Sequence, residues 1–231
     1  MIEELLPESA VAVEVYGDQD TEAWLYPEEE RLVARAVAKR RREFAAVRAC
    51  ARRAMEKLGV PPQPVLAGDR GAPIWPQGLT GSMTHCDGYR AAVLVRVGDL
   101  AAVGIDAEPH GPLPEGVFDT IALPAERDRD RALHVGGSAV HWDRLLFSAK
   151  ETVYKVWFPL TRAWLDFSEA DIELACDPGR GTRGRFTARL LVPGPVVGGA
   201  RLDGFEGHWL IRAGLVLTAV TVPHQNLRKV R

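Results

Sequence analysis

Cysteine is scarce in this sequence and poorly placed for a covalent or metal-binding framework. Only three cysteines occur among 231 residues, at positions 50, 86 and 176, and no two of them form a Cys-x-x-Cys pair. An odd number of widely spaced cysteines is typical of reduced thiols and argues against a disulfide frame or a zinc site. Residues 1–8 are acidic and lack the basic and apolar stretches of a signal peptide, and no apolar run approaches a membrane span. We therefore expect a cytoplasmic protein without a membrane segment.

A strong net charge is also missing. The chain has 29 Lys and Arg against 31 Asp and Glu, a formal net charge of −2 at pH 7. Such a balance gives no general attraction to nucleic acid, although basic residues cluster locally at 39–42 and 228–231. With 46% hydrophobic residues, the chain can bury a sizeable core as one large domain or two small packed halves.

Several familiar catalytic and nucleotide-binding motifs are absent. Ser148 lies near His141 and Asp143, but no Gly-x-Ser-x-Gly elbow surrounds it, which argues against a hydrolase triad. The chain has no Walker loop and no Gly-x-Gly-x-x-Gly after a predicted strand. Any nucleotide chemistry must therefore use a different arrangement.

Apolar periodicity predicts a long helix in each half of the chain. Pro27 and three following glutamates begin the first helix, apolar residues recur at helical spacing up to Leu58, and Gly59 ends it. The second long helix is predicted from His141 to Trp157. Strands are predicted at residues 11–15, 91–97, 100–105, 170–175, 185–192, 206–212 and 215–222, and a polar helix at 124–133.

The connections complete the predicted order of elements. Proline and glycine punctuate residues 61–81, which we expect to form a loop with a short strand near Val65, and residues 81–86 look like a turn. A tight Gly98-Asp99 turn joins the strands 91–97 and 100–105. A long helix followed by strands in each half predicts an α+β fold with two pseudo-symmetric lobes, 1–104 and 105–231, in one compact unit. Each lobe would pack its helix on a small, mostly antiparallel sheet.

Carboxylates and lysines in two segments carry the strongest chemical signal. Asp106 and Glu108 follow a buried strand and leave the same face of it, because side chains two apart on a strand share a face. Glu151 and Lys155 share one side of the second long helix. Three acidic oxygen donors beside lysines suit a hard divalent ion together with a polyphosphate. The alternative for Glu151 and Lys155 is a solvated surface pair worth about 0.3–0.5 kcal/mol, but the helix is too apolar to have a large solvated face.

Basic side chains elsewhere are weaker signals. His85 precedes the strand 91–97 in a Gly/Ser/Thr-rich segment and could donate to a phosphate oxygen, although a lone histidine is more often structural. Arg40 and Arg41 on the first long helix are compatible with a solvated basic face. Arg48 lies on the apolar side of that helix and therefore needs an anionic partner.

Three motifs together resemble the 4'-phosphopantetheinyl transferases of the surfactin-synthetase-activating and enterobactin type, in their actinobacterial branch. These motifs are Gly81-Ser82-Met83-Thr84-His85, Gly104-Ile105-Asp106-Ala107-Glu108 and the segment 147–155, which contains Lys150-Glu151 and Lys155. The resemblance extends over most of the chain. Its departures are Ala72 where the family often has a basic residue, Thr84 for serine and Phe147 for tryptophan; Arg70 could replace the missing basic residue.

The resemblance implies a reaction and a set of site residues. The family transfers the phosphopantetheine arm of coenzyme A to a serine of an acyl, aryl or peptidyl carrier protein and releases 3',5'-ADP. These carriers belong to fatty acid, polyketide and nonribosomal peptide synthases, including those of siderophore biosynthesis. Metal ligands would be Asp106, Glu108 and Glu151, holding Mg²⁺ or, alternatively, Mn²⁺, and catalytic residues would be Glu151, Lys155 and His85. Coenzyme A contacts would come from Arg40, Arg48, Gly68, Asp69, Arg70, Met83, Thr84, His85, Asp106, Lys150, Glu151 and Lys155.

Further expectations concern the nucleophile, the partner surface and the competing functions. The carrier supplies the serine, which explains why no nucleophile is found in this chain. An apolar edge after the metal motif, at Leu113, Val117, Phe118, Ile121 and Leu123, either docks the carrier or packs as a short helix on the core. Two other functions stay open: a metal-dependent hydrolase of coenzyme A or a related diphosphate, and a non-catalytic coenzyme A-binding module. We expect a monomer with no nucleic-acid partner.

Overall fold

The computed structural model describes residues 1–17, 23–134 and 139–224, so the basic segment 228–231 lies outside the described residues. Five α-helices and twelve strands occur in these ranges, with short 3-10 turns at Ile2–Leu5, Asp69–Gly71 and Phe167–Glu169. The helices are α1 (Pro27–Leu32), α2 (Ala38–Lys57), α3 (Val117–Ile121), α4 (Pro124–His134) and α5 (Trp142–Thr161). The strands are β1 (Val11–Tyr16), β2 (Leu66–Ala67), β3 (Pro73–Ile74), β4 (Leu79–Cys86), β5 (Tyr89–Arg96), β6 (Leu100–Pro109), β7 (Ala170–Asp177), β8 (Arg180–Leu190), β9 (Val196–Val197), β10 (Ala200–Arg201), β11 (Gly204–Arg212) and β12 (Leu215–Pro223).

Two antiparallel sheets form the framework. The first has the strand order β1-β5-β4, and the second has the order β6-β12-β11-β8-β7. Helix α2 packs on the first sheet through a core that includes Cys50, Met55 and Leu94. Helix α5 packs on the second sheet through Leu145, Val153 and other buried residues. The predicted α+β architecture of two lobes, each with a long helix on an antiparallel sheet, is confirmed.

Alternation along β5 explains how the two sheets share a core. Ala92 and Leu94 join the cluster under α2, whereas Ala91, Val93 and Val95 join a second cluster with β6 and β12. Successive side chains on a strand point to opposite faces, so β5 is buried on both sides. The layers therefore run helix, sheet, sheet, helix.

The first long helix is broken, contrary to the prediction of one helix from Pro27 to Leu58. Helix α1 ends at Leu32, and α2 begins at Ala38. Arg52 Nη1 donates a hydrogen bond of 3.1 Å to Glu29 Oε2, and these residues are 23 positions apart. One straight helix would separate them by about 35 Å, so the chain must turn back between them. Val37, predicted to be on the apolar face, is exposed at this break.

Strand β4 replaces the predicted turn at residues 81–86. Glycine, serine and threonine in this segment resemble turn residues, but each has a specific use in the sheet. A Cβ at Gly81 would lie 2.4 Å from the backbone oxygen of Val93, so only glycine fits there. Ser82 Oγ accepts a hydrogen bond from Ile105 N, and Thr84 Oγ1 accepts one from Ala107 N, both at 3.1 Å.

These hydroxyls join the lobes. They satisfy the backbone N–H groups of Ile105 and Ala107 on the edge of β6 that faces β4, where the first sheet ends beside the second without a continuous ladder. The turn at Gly98-Asp99 carries the chain from β5 into β6, and the two strands lie in different sheets instead of pairing. Strand β6 spans the predicted lobe boundary at residue 104, and pairs with β12 from Leu100 to Pro109.

Close packing fixes β6 against α5. A Cβ at Gly104 would lie 2.6 Å from the backbone oxygen of Thr152 and equally close to Val156 Cγ2. Glycine at this position lets the strand approach the helix that carries Glu151 and Lys155.

In the three described ranges, no helix has the length and apolar character needed to cross a bilayer.

Candidate active site between the two lobes

A cavity of about 650 Å³ opens between the lobes. Its N-terminal wall comes from α2, from the segment after β2 and from β4, and its C-terminal wall comes from α5. Nine of the predicted site residues line it: Arg40, Arg48, Gly68, Arg70, Met83, Thr84, His85, Glu151 and Lys155. The structure thus collects residues separated by more than a hundred positions around one space.

The walls of this cavity are strongly cationic. Among the described residues, the charged groups that line it are Arg40, Arg48, Arg70, Lys155 and Arg162, together with one carboxylate, Glu151; the imidazole of His85 also lines it. Positive side chains in a concave space focus the field on an anionic ligand. The cavity therefore suits a ligand with several phosphate groups.

Asp106 is the buried centre of a hydrogen-bond network beneath the cavity. Its Oδ1 accepts hydrogen bonds from Lys155 Nζ at 2.7 Å and from Thr84 Oγ1 at 3.2 Å, and its Oδ2 accepts one from Ser148 Oγ at 2.8 Å. The residue is only 4% exposed. Burial of this carboxylate is tolerated because a cation and two hydroxyls satisfy it.

Glu108 lies farther along β6 and is held by a different cation. Arg144 Nη1 donates to Glu108 Oε2 at 2.9 Å, while other atoms of the same guanidinium donate to the backbone oxygens of Gly111 and Pro112. Burial raises the pKa of Glu108, the charge of Asp106 raises it further, and Arg144 opposes both effects. Arg144 therefore fixes the end of β6 and the following loop to α5.

Glu151 faces the cavity without a hydrogen-bonded or ion-paired side chain among the described residues. Burial raises its pKa, and the charge of Asp106 raises it further, while Lys155 acts in the opposite direction. A carboxylate with a raised pKa beside an anion-binding cavity is suited to accept a proton.

The donor set around Asp106 suits a hard divalent cation, although it is not assembled as a metal cage. Within the ranges that the structure describes, no three His, Cys, Asp or Glu side chains form a metal-ligating group. Asp106 nevertheless raises the pKa of both Glu108 and Glu151, so neighbouring carboxylates lack full compensation of their charge. A cation with a preference for oxygen ligands would supply that compensation. The residues present fit Mg²⁺ or Mn²⁺ by chemistry.

His85 sits on β4 at the rim of the cavity. Its Nε2 lies 2.5 Å from Arg40 Nη1. Because a guanidinium only donates, Nε2 must accept, and the proton of the neutral ring is on Nδ1. Burial lowers the pKa of His85, and the charge of Arg40 lowers it further.

Arg48 has the anionic partner that its position requires, although it is not a simple phosphate ligand. Its Nε donates to the backbone oxygen of Val65 at 2.9 Å and lies 3.8 Å from Glu29 Oε1. Burial lowers the pKa of Arg48 to about 10, with Glu29 opposing the change. Arg48 lines the cavity and also joins α2 to α1 and to Val65, the residue before β2.

Three of the predicted coenzyme A contacts do not line the large cavity. Asp69 is exposed in the turn before Arg70. Asp106 lies beneath the cavity and is hydrogen-bonded to Lys155, which does line it. Lys150 leaves α5 in another direction, and its ammonium group is buried against Glu126.

A smaller cleft of about 180 Å³ adjoins the cavity. Glu151 and Tyr154 line both spaces. The buried hydroxyl of Tyr154 has no hydrogen-bond partner within residues 1–17, 23–134 and 139–224, and the centre of its ring lies 5.1 Å from that of Trp164. The Arg70 guanidinium lies 5.0 Å from the centre of the same indole ring. The cleft can hold a slender, largely apolar chain, and the Tyr154 hydroxyl can form a hydrogen bond with a polar group on that chain.

Spacing along α5 contains a signal for residues that the sequence interpretation did not assign. Arg144, Ser148, Glu151 and Lys155 follow a 4-3-4 spacing and therefore lie on one face of the helix. The structure confirms that this face meets the carboxyl-terminal part of β6. No comparable local signal identifies Tyr154, Trp164 or Glu126.

Comparison with known proteins gives the family. Residues 28–95 match the model of the 4'-phosphopantetheinyl transferase N-terminal domain, and residues 102–191 match that of the 4'-phosphopantetheinyl transferase superfamily. The chain is 58% identical to 4'-phosphopantetheinyl transferase Svp from Streptomyces mobaraensis, with 96% of this chain and 89% of that protein covered. It is 53% identical to 4'-phosphopantetheinyl transferase PptT from Mycobacterium tuberculosis, with 85% of each covered.

More distant similarity is found to the enterobactin system. Enterobactin synthase component D from Salmonella typhi is 35% identical over 58% of this chain and 54% of that protein. The family model that covers β6 and α5 also covers the network around Asp106 and Lys155. The chain therefore belongs to the 4'-phosphopantetheinyl transferase superfamily, as its three motifs predict.

Proposed function

We propose that this protein transfers the 4'-phosphopantetheine arm of coenzyme A to a serine hydroxyl of an acyl, aryl or peptidyl carrier protein. The observation that carries the proposal is the cationic cavity between the lobes, with Glu151 and the Lys155–Asp106 pair at its base. In the reaction, the serine oxygen bonds to the phosphorus of the arm, the bond from that phosphorus to 3',5'-ADP breaks, and the serine proton passes to a base.

Binding of coenzyme A uses both spaces. The cations of the large cavity, with His85, hold the phosphate groups of the nucleotide half. The arm extends into the smaller cleft past Glu151 and Tyr154, which line both spaces. Positioning and electrostatic stabilisation contribute most of the catalysis in phosphoryl-type transfers, so this placement is the main task of the site.

Asp106, Glu108 and Glu151 would hold the divalent cation, whose chemistry is to neutralise charge on the diphosphate. Lys155 has a second role because it lines the cavity and also bonds Asp106. Its ammonium group stabilises charge on the phosphate oxygens while keeping α5 in register with β6.

Glu151 is the proposed general base. Asp106 already accepts three hydrogen bonds, whereas no side-chain partner occupies Glu151 among the described residues. The raised pKa of Glu151 increases its affinity for the serine proton. A metal-bound carboxylate is a weaker base, and a bound water or Asp106 would share the role in that case.

The carrier docks beside the base on the C-terminal lobe. Helix α3 follows the loop that Arg144 holds, and Val117 and Phe118 are half-buried against the core of this lobe. Of the apolar edge proposed for docking, Val117, Phe118 and Ile121 lie on α3, and Ile121 is buried in the core. The half-exposed parts of Val117 and Phe118 are the proposed contacts with the carrier. We expect the protein to be cytoplasmic and to act as a monomer. Sedimentation at working concentration tests the oligomeric state.

One experiment separates the possible activities. The protein is mixed with coenzyme A and an unmodified carrier protein, with Mg²⁺, with Mn²⁺ or with a chelator, and the carrier is weighed by mass spectrometry. A carrier heavier by one phosphopantetheine group in the presence of metal supports the proposal. Free phosphopantetheine with an unmodified carrier would instead establish hydrolysis, and unchanged coenzyme A would leave a binding module.

A further inference from the structure

Lys150 is buried in a complete set of hydrogen bonds. Its Nζ donates to Glu126 Oε2 at 2.9 Å, to the backbone oxygen of Phe167 at 2.6 Å and to that of Ala170 at 2.9 Å. An ammonium group has three N–H donors, and all three are used. Both partners of the ion pair are 1% exposed.

Glu126 is equally occupied. Its Oε1 accepts a hydrogen bond from Ile172 N, and its Oε2 accepts one from Leu123 N, both at 2.7 Å. The ion pair therefore joins α4, α5 and the beginning of β7. For Lys150 to reach a phosphate in the large cavity, it would have to leave three acceptors and strand a buried carboxylate, which is strongly unfavourable.

Helix geometry places Lys150 and Glu151 in different environments. Consecutive residues of an α-helix point about 100° apart. Glu151 and Lys155 face the large cavity, whereas Lys150 faces the segment that leads into β7. The backbone oxygens bonded by Lys150 belong to Phe167 and Ala170, and both of these residues line the smaller cleft, as does Lys150 itself.

We propose that Lys150 is a positioning residue: it holds segment 164–170 against α5 and so shapes the cleft for the phosphopantetheine arm, without contacting the phosphates. This inference rests on the proposed function, because it assigns the arm to that cleft. The buried Lys150–Glu126 pair favours one geometry of segment 164–170, which contains Trp164 and Phe167.

Two ligands distinguish arm positioning from phosphate binding. Adenosine 3'-phosphate 5'-diphosphate has all the phosphates of coenzyme A but lacks the pantetheine part of the arm; it is called the armless nucleotide below. The test variant is the double substitution Lys150→Met with Glu126→Gln, which removes both charges and leaves neither buried and unpaired. Calorimetry should show unchanged affinity for the armless nucleotide and a loss of about tenfold or more in affinity for coenzyme A. The single variant Lys155→Met, which alters the phosphate cavity, should weaken both ligands.

Equal weakening of both ligands in the double variant, or no weakening of either, would overturn the inference while leaving the proposed function intact. Failure of the unmodified protein to bind coenzyme A would count against the proposed function itself.

A second measurement needs no substitution and therefore does not depend on folding of a variant. Lysine acylation followed by mass spectrometry compares the native protein with and without the armless nucleotide. Lys155, which is 25% exposed, should react and become protected by the nucleotide, whereas Lys150 should stay unmodified in both samples. Reaction of Lys150 that the nucleotide suppresses would place it at the phosphates and refute the positioning role.

Discussion

The ammonium group of Lys155 joins α5 to β6 by donating 2.7 Å to Asp106 Oδ1 and 3.1 Å to the backbone oxygen of Ile105. The same side chain lines the large cavity. One cation thus compensates a buried carboxylate and faces the space proposed for the diphosphate. The position of this lysine is therefore sensitive both to the packing of the lobes and to the ligand.

Replacement of Lys155 by methionine should reduce turnover with coenzyme A by about 10²–10³-fold, because a donor aimed at the transferred phosphate is lost. The variant also leaves Asp106 without its cation, so binding of coenzyme A should weaken as well. Initial rates of carrier modification measure the effect. Lys57→Met at the exposed end of α2 is the matched control and should retain full activity. Rates for Lys155→Met close to the unmodified enzyme would show that this ammonium is not at the phosphates.

Gly104→Ala should destabilise the protein by about 1–3 kcal/mol, because the added methyl group would overlap the backbone of α5. Separation of β6 from α5 would also move Asp106 away from Lys155. The rate of carrier modification should therefore fall by more than the loss of folded protein accounts for. Urea unfolding and rate measurements test both statements. Gly98→Ala is the control, since its Cβ would enter open space and its φ is not positive. If the two alanine variants were equally stable, the close contact at Gly104 would have no energetic importance.

The parts of the fold that the sequence predicts well are those with strong local patterns. Helix α5 has an apolar stripe, and β5 and the first part of β6 contain apolar runs bounded by turn residues, so their positions follow from the local sequence pattern. Strand β4 was not predictable in this way, because Gly81, Ser82 and Thr84 are selected by contacts with distant strands. Tertiary contacts outweigh local preference at these positions.

The same division applies to the site. Asp106 and Glu151 could be recognised from their motifs, and the cavity gathers most of the predicted ligands. Helix periodicity separates the directions of Lys150 and Glu151, but the group that Lys150 contacts could not be inferred from it. Its partner Glu126 lies on a separate helix, and no spacing rule connects the two residues.

The pH dependence of ligand binding should reveal His85. In the free protein its pKa is lowered by burial and by Arg40, so the ring is neutral at neutral pH. A bound phosphate favours the protonated ring, so its pKa in the complex is higher than in the free protein. Affinity should therefore increase as pH falls from above the complex's pKa toward the lowered pKa of free His85, with proton uptake on binding.

Calorimetry of adenosine 3'-phosphate 5'-diphosphate binding across this range, in buffers of different ionisation enthalpy, measures the proton uptake. Protonation of the nucleotide itself affects all proteins equally, so the comparison with His85→Gln isolates the histidine. His208→Gln, at an exposed position on β11, should behave like the unmodified protein. Identical proton uptake by the His85 variant and the unmodified protein would exclude a phosphate contact at this residue.

Glu151→Gln should separate catalysis from both binding and stability. The amide has nearly the same shape but cannot accept the serine proton, so carrier modification should fall by about 10²–10⁴-fold while coenzyme A still binds.

The stability of Glu151→Gln at pH 7 should be equal to or higher than that of the unmodified protein. The sign follows from the pKa: burial raises it in the folded state, so the ionised carboxylate at neutral pH disfavours folding, and a neutral amide removes that penalty. Glu173→Gln on exposed β7 provides the control, with unchanged rate and unchanged unfolding temperature. Normal turnover by Glu151→Gln would eliminate this residue as the base, whereas a marked loss of stability would show that its carboxylate supports the fold.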